Sequence, residues 1–114
     1  MKMKIRQKEI WQVYFDPKVG SEQTGNRPAV VISGDTMNEF FNVVIVCPIT
    51  SSIKNYKGHP ILTPNDINGL DRESEIMVFH ARSLSKLRFK KKLGRISNKE
   101  LENIKETLNK ILKY

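Results

Sequence analysis

A small, mainly β domain, barrel-like and closed by one C-terminal helix (an α+β arrangement), is the fold that this sequence predicts. Three observations carry it. Short runs rich in β-branched residues, such as "RPAVVIS" and "NVVIVCPIT", recur between turn-forming clusters. One amphipathic segment with a helix-start signal stands near the C-terminus. The apolar content, 39% of 114 residues, is enough for a single modest core.

The first strand is read over residues 9–16, "EIWQVYFD", where Trp11, Val13 and Phe15 alternate with Gln12, Tyr14 and Asp16. That period of two is the pattern of a half-buried strand, and Pro17 and Gly20 end it. A polar loop with a glycine at each side, "GSEQTG", leads through Asn26 and Arg27-Pro28 into the strand "RPAVVIS". Gly34-Asp35 punctuates the chain before "NVVIVCPIT". Residues 51–60, "SSIKNYKGHP", are polar and basic, as in a loop near a ligand, and "PILT" reads as a short edge strand that Pro60 can only begin. "PNDINGLDRESE" is turn chemistry throughout. "SEIMVFHARS" then reads as one apolar strand ending at Arg82, Ser85 as the cap of a helical turn, and "KKKLGRIS" as a further short strand. Ser97 and Glu100 form an S-x-x-E capping box, and Leu101, Ile104, Leu108 and Ile111 follow at helical spacing, so a helix is predicted from about Asn98 to Lys113. With no repeat, linker or low-complexity tract, residues 1–114 are expected to form a single domain.

The charge is the strongest compositional signal. The chain carries a formal net charge of +8, and between Ile76 and Lys99 it has no acidic residue while Arg82, Lys86, Arg88, Lys90, Lys91, Lys92 and Arg95 are present. Such a patch points to an acidic partner, nucleic acid first, and would set affinity and salt dependence without specifying sequence. No apolar run approaches the ~20 residues needed to span a bilayer, and residues 1–9 lack the apolar core of a signal peptide. One cysteine, Cys47, excludes an intrachain disulfide and fits a reducing compartment, so a cytoplasmic protein without a membrane partner is expected. Within "VVIVCPIT", Cys47 reads as a small buried hydrophobe rather than a nucleophile.

The usual catalytic signatures are absent: no P-loop, no H-E-x-x-H, no G-x-S-x-G and no paired cysteines. His59 and His80, far apart in sequence, read as surface or structural histidines, and no metal or cofactor is expected. RNA brings its own nucleophile, the ribose 2′-OH. A protein that promotes its attack on the adjacent phosphate has to orient the backbone and stabilise charge on a pentacoordinate phosphorane, work suited to an arginine fork with hydroxyls and amides. Arg27 at the start of one strand and Thr50 at the end of another, with Ser51, Ser52 and the loop glycines, form a candidate phosphate clamp.

Glu9-Ile10-Trp11-x-Val13, "PKVGSEQTGNRPAVVIS", "VCPITS" and "GLDRES" in this order resemble the MazF/PemK family of toxin endoribonucleases from type II toxin-antitoxin systems, over nearly the whole chain. The resemblance implies a small SH3-like, CcdB-type barrel and a homodimer. It implies metal-independent, sequence-specific cleavage of single-stranded RNA by 2′-OH attack, leaving a 2′,3′-cyclic phosphate and a 5′-OH. It places the catalytic pair on Arg27 and Thr50, and a mobile loop on Ser21, Glu22, Gln23, Thr24 and Asn26, which would contact RNA together with Ser51, Ser52, Lys54 and Arg82. Where many members show L-E-Q-I-R-T, this chain has Val78-Phe79-His80-Ala81-Arg82-Ser83, so Phe79 and His80 replace the Glu-Gln pair and are candidates for base stacking and hydrogen bonding. The implied partners are mRNA, an acidic MazE-like antitoxin that folds on binding, and DNA only through a toxin-antitoxin operator complex. Two other readings stay open on the residues alone: a non-catalytic basic module that binds RNA or DNA, and a CcdB-like gyrase poison.

Overall fold

The computed structural model describes residues 3–15 and 25–113. Asp16, Pro17 and Gly20, where the first strand was predicted to end, and the loop positions Ser21, Glu22, Gln23 and Thr24 lie outside the described residues. The elements run β1 (Glu9–Phe15), β2 (Gly25–Val31), α1 (Asp35–Phe40), β3 (Val43–Thr50), β4 (Ile61–Leu62) and β5 (Ser74–Ile76). A 3-10 turn (Val78–His80), β6 (Arg82–Ser85), a second 3-10 turn (Lys86–Arg88), β7 (Phe89–Arg95) and α2 (Asn98–Lys113) complete them. The strands form a curled antiparallel sheet in the order β4-β5-β3-β2-β1-β7, with β6 also pairing to β3.

The period of two places Trp11, Val13 and Phe15 on one face, where they pack with Ala29, Val31, Val44, Val46, Leu84 and Phe89. The intervening residues Ile10, Val30, Cys47 and Ile49 make a second cluster on the other face, with Ile76, Val78 and Ile96 and under Leu101 and Ile104 of α2. One core was expected, and two formed. The reason is that β2 and β3 are apolar on both faces, and the helix covers the second of them. Each fully buried aliphatic or aromatic side chain contributes about 1.5–3 kcal/mol relative to exposure, so the helix face is a main source of stability.

α2 starts as its capping box requires: the Ser97 N–H donates to Glu100 Oε1 at 2.7 Å, and the Glu100 N–H donates to Ser97 Oγ at 3.1 Å. Ser85 likewise caps the second 3-10 turn, its hydroxyl accepting from the Leu87 N–H at 3.2 Å. The edge strand at "PILT" is present as the two residues of β4.

Two features differ from the sequence reading. The short helix α1 occupies what reads as a simple turn at Gly34-Asp35. It is held by a local network in which the Asn38 amide donates to the Ser33 carbonyl at 2.9 Å and Asp35 accepts from the Gln7 N–H at 2.8 Å. The run "SEIMVFHARS" is not one strand but β5, a 3-10 turn and the start of β6. Both strands pair with the same neighbour, β3, in different registers: Ile49↔Ile76 and Thr50↔Glu75 on one side of the break, Val46↔Arg82 and Val44↔Leu84 on the other. The turn at 78–80 absorbs that slip, opposite Pro48, which has no N–H to offer the ladder and instead accepts from the Met77 N–H at 2.8 Å.

The turn before β5 is pinned against β7. Asn68 is buried and donates to the Thr63 carbonyl at 2.9 Å while accepting from the N–H groups of Asn65 and Leu70 at 3.1 and 3.0 Å. Gly69 has φ +69°, and a Cβ there would lie 1.9 Å from the Leu93 carbonyl oxygen. Gly69→Ala is therefore expected to destabilise the protein by roughly 1–3 kcal/mol, the usual cost of forced overpacking, and calorimetry should show a melting temperature lower by several degrees. An unchanged melting temperature would mean that this turn is not pinned.

Candidate functional site

β2 and β3 pair through Val31↔Val46, Val30↔Cys47 and Ala29↔Pro48. Continuing that register by two residues sets Arg27 opposite Thr50 at the ends of the two strands. Residues directly opposite one another share a face. Arg27 is also cross-strand from Val13, and Arg82 is cross-strand from Val46. Arg27, Thr50 and Arg82 therefore belong to the face whose apolar floor is Val13, Phe15, Ala29 and Val46. The Arg82 guanidinium lies 5.3 Å from the centroid of the Phe15 ring, a cation–π contact that keeps the charge at the border of that floor.

Arg27 Nε is buried and has no hydrogen-bond partner among the described residues. A buried charged donor without an acceptor is costly, and an anionic oxygen would satisfy it. The Thr50 hydroxyl accepts from the Ser52 N–H at 3.0 Å. Its own proton is thus left to donate elsewhere, which suits it to hold a phosphate oxygen.

The loop after Thr50 carries Ser51, Ser52 and Lys54, all exposed. What shapes it is Glu75, a residue that sequence reading passed over. Glu75 is cross-strand from Thr50 and is buried, with 1% of its surface exposed. Its Oε1 accepts from the N–H groups of Lys54 and Asn55, each at 2.7 Å, and its Oε2 from the Tyr56 N–H at 3.2 Å. The same Oε2 lies 2.7 Å from His59 Nδ1. Burial alone would raise the Glu75 pKa, but the hydrogen bonds from Asn55, His59, Lys54 and Tyr56 outweigh it and hold the carboxyl below its ordinary value. The signal for this role was a lone glutamate inside the apolar run "SEIMVF", since a glutamate is almost never fully buried unless paired.

His59 has the structural role expected of it. The Phe79 N–H donates to Nε2 at 3.2 Å, so the imidazole proton is assigned to Nδ1, facing Glu75. Cys47 is buried as expected, and burial pushes its thiol up to about 12, so it is no nucleophile near neutral pH.

The structure gathers only some of the predicted RNA contacts. Asn26, cross-strand from Tyr14, falls on the face opposite Arg27. Phe79 and His80 sit in the first 3-10 turn, both exposed. The Phe79 ring packs on His59 at 4.3 Å between centroids, stacks on Tyr56 at 6.3 Å, and borders a groove of about 640 Å³ shared with Asn103, Thr107 and Ile111 of α2. Among the described residues, no helix is long and apolar enough to cross a membrane.

Known proteins resemble this chain over nearly its whole length. A family model described as a PemK-like, MazF-like toxin of type II toxin-antitoxin systems matches residues 6–112. Endoribonuclease MazF9 of Mycobacterium tuberculosis is 35% identical over 109 residues, covering 91% of this chain and 92% of the relative. A crystal structure of MazF from Deinococcus radiodurans superposes with a TM-score of 0.79 at 26% identity, covering 100% of both chains. A MazE-MazF structure from the same organism gives a TM-score of 0.79 at 26% identity, covering 97% of each chain.

Proposed function

This chain belongs to the PemK-like, MazF-like toxins of type II toxin-antitoxin systems, and from that premise we propose that it is a sequence-specific endoribonuclease of single-stranded RNA working without a metal ion. The observation that carries the reading is the placement of Arg27, whose buried Nε has no partner among the described residues, opposite Thr50 in the continued β2–β3 register.

The ribose 2′-OH gives up its proton to solvent as its oxygen attacks the adjacent phosphorus in line, the P–O5′ bond breaks, and the departing O5′ takes up a proton from solvent. The products are a 2′,3′-cyclic phosphate and a 5′-OH. A guanidinium stays protonated in proteins and is a poor proton acceptor, so Arg27 serves as a donor to the phosphorane oxygens as charge builds on them. Thr50 donates to a second phosphate oxygen. Ser51, Ser52, Lys54 and Arg82 supply further donors and charge beside them, while Ser21, Glu22, Gln23 and Thr24 complete the RNA contacts from the loop before β2. Asn26 and Phe79, which lie off this face, and the exposed His80 serve the flanking nucleotides.

The net charge of +8 fits both an RNA substrate and an acidic antitoxin related to MazE, whose segment crosses the same face and occludes it. The active form is a cytoplasmic homodimer of this single-domain chain, and it meets DNA only as part of an operator complex.

The test is incubation of the purified protein with a long single-stranded RNA in EDTA, followed by mapping of the new ends. Discrete cuts at a recurring short motif are expected. Intact RNA with a salt-sensitive mobility shift would instead identify a basic binding module.

A further inference from the structure

On the sheet face opposite Arg27, the end of β1 is not roofed by α2. Gln12 and Tyr14 point to that side, and both are only half-buried. Two cations attend the Tyr14 ring: the Arg88 guanidinium at 5.6 Å and the Lys90 ammonium at 5.9 Å from its centroid. Lys90 is placed there by an irregularity in the sheet. The β1–β7 register shifts between Gln12↔Lys91 and Val13↔Phe89, leaving Lys90 without an opposite residue. β7 is the edge of the sheet, and Lys90 and Lys91 are exposed on it.

Lysines on an edge strand guard it against pairing with another chain, which accounts for Lys91. That role does not call for an aromatic ring on the neighbouring strand with a guanidinium and an ammonium beside it. We propose that Tyr14, Arg88 and Lys90 form a stacking subsite for one unpaired RNA base and its phosphate, reached around the β7 edge from the Arg27–Thr50 face. The inference rests on the reading of single-stranded RNA as the substrate.

Magnitudes favour the exchange. Stacking of a base on an aromatic ring outweighs an exposed cation–π contact with the same ring. A base therefore displaces the Lys90 ammonium from the ring, and the freed ammonium pairs with the phosphate that the base brings. Arg88, half-buried at the end of its 3-10 turn, holds its place beside the ring. Tyr14 follows Val13, the residue cross-strand from Arg27, but faces the other side of the sheet, so RNA reaches it only by passing around β7. The subsite thus takes a nucleotide several positions from the scissile bond, beyond the reach of a short oligomer, and lengthens the RNA footprint without touching the reacting atoms.

The test is fluorescence anisotropy with uncleavable 2′-O-methyl RNA oligomers, one on the order of 5 and one on the order of 15 nucleotides long. Tyr14→Ala is expected to weaken binding of the long oligomer on the order of tenfold and to leave the short one unchanged, while Tyr14→Phe keeps the wild-type affinity for both. Lys90→Gln, at an exposed position, should lower the salt slope of long-oligomer binding by roughly one phosphate contact. Equal loss at both lengths in Tyr14→Ala, or no loss at the long one with an unchanged salt slope in Lys90→Gln, overturns the subsite. Because the oligomers cannot be cut, this result is independent of cleavage: a protein that cuts RNA but shows no length-dependent effect of Tyr14 retains the proposed reaction and loses the subsite.

Discussion

Replacing Arg27 with alanine is expected to lower the rate of RNA cleavage on the order of 100- to 1,000-fold, the usual cost of removing one preorganised donor to a developing oxyanion. The protein should remain folded. Arg27 is the third residue of β2, and its buried Nε makes no hydrogen bond among the described residues that the substitution could break. The melting temperature should therefore stay close to that of the wild type. Arg27→Lys keeps the charge but not the planar fork, and it should recover only part of the rate because an ammonium cannot bridge two phosphate oxygens in the same geometry. Single-turnover cleavage assays beside thermal melts check both halves of this expectation. A variant that cuts at the parental rate would remove Arg27 from the mechanism, and one that fails to fold would make it a structural residue.

Glu75→Ala should have the largest effect on the fold around the site. It removes the acceptor of three backbone N–H groups, at Lys54, Asn55 and Tyr56, and of the His59 ring. Breaking a buried charged network by deleting one partner costs roughly 3–5 kcal/mol, though the loop can recover some of this by opening to water. The 51–58 loop would then lose the arrangement that presents Ser52 to Thr50, and cleavage should fall along with stability. The pH dependence has a definite sign. With its pKa held below the ordinary carboxylate value, Glu75 contributes stability that is fully present above about pH 4.3 and is lost as the pH falls through its folded-state pKa. Thermal melts of the wild type should therefore drop more steeply below about pH 4 than those of Glu75→Gln, whose amide does not titrate there. Parallel acid profiles for the two proteins would rule out this contribution from Glu75.

The parts of the fold legible in the sequence are those with local signals. β1 follows from the alternation of Trp11, Val13 and Phe15, and α2 from its capping box and the spacing of Leu101 and Ile104. The split of "SEIMVFHARS" into β5 and β6 was not legible, because it depends on which residues of β3 each half meets and on the missing N–H of Pro48. α1 was missed for a related reason: its six residues are too few for a periodic pattern, and Ser33, Asn38 and Asp35 define it only through their hydrogen bonds. At the candidate site, Arg27 at a strand start and Thr50 at a strand end are ordinary taken singly, and it is the family resemblance that singles them out. Glu75 was not legible, since its partners are backbone groups some twenty residues upstream. Phe79 and His80 stood out only where the family pattern has a Glu-Gln pair, and their exposure follows from a turn that periodicity does not reveal.

The central claim is that the RNA supplies the nucleophile and that Arg27 and Thr50 stabilise the resulting charge. The measurement that tests it most directly uses an RNA that the protein cuts at a single mapped site, with one 2′-deoxy nucleotide placed immediately 5′ of the scissile phosphate. This substitution is expected to abolish cleavage while binding persists, and the unsubstituted RNA to yield a 2′,3′-cyclic phosphate in EDTA. Cleavage of the deoxy substrate at the same bond would show that water or a protein group attacks instead, and would contradict the account.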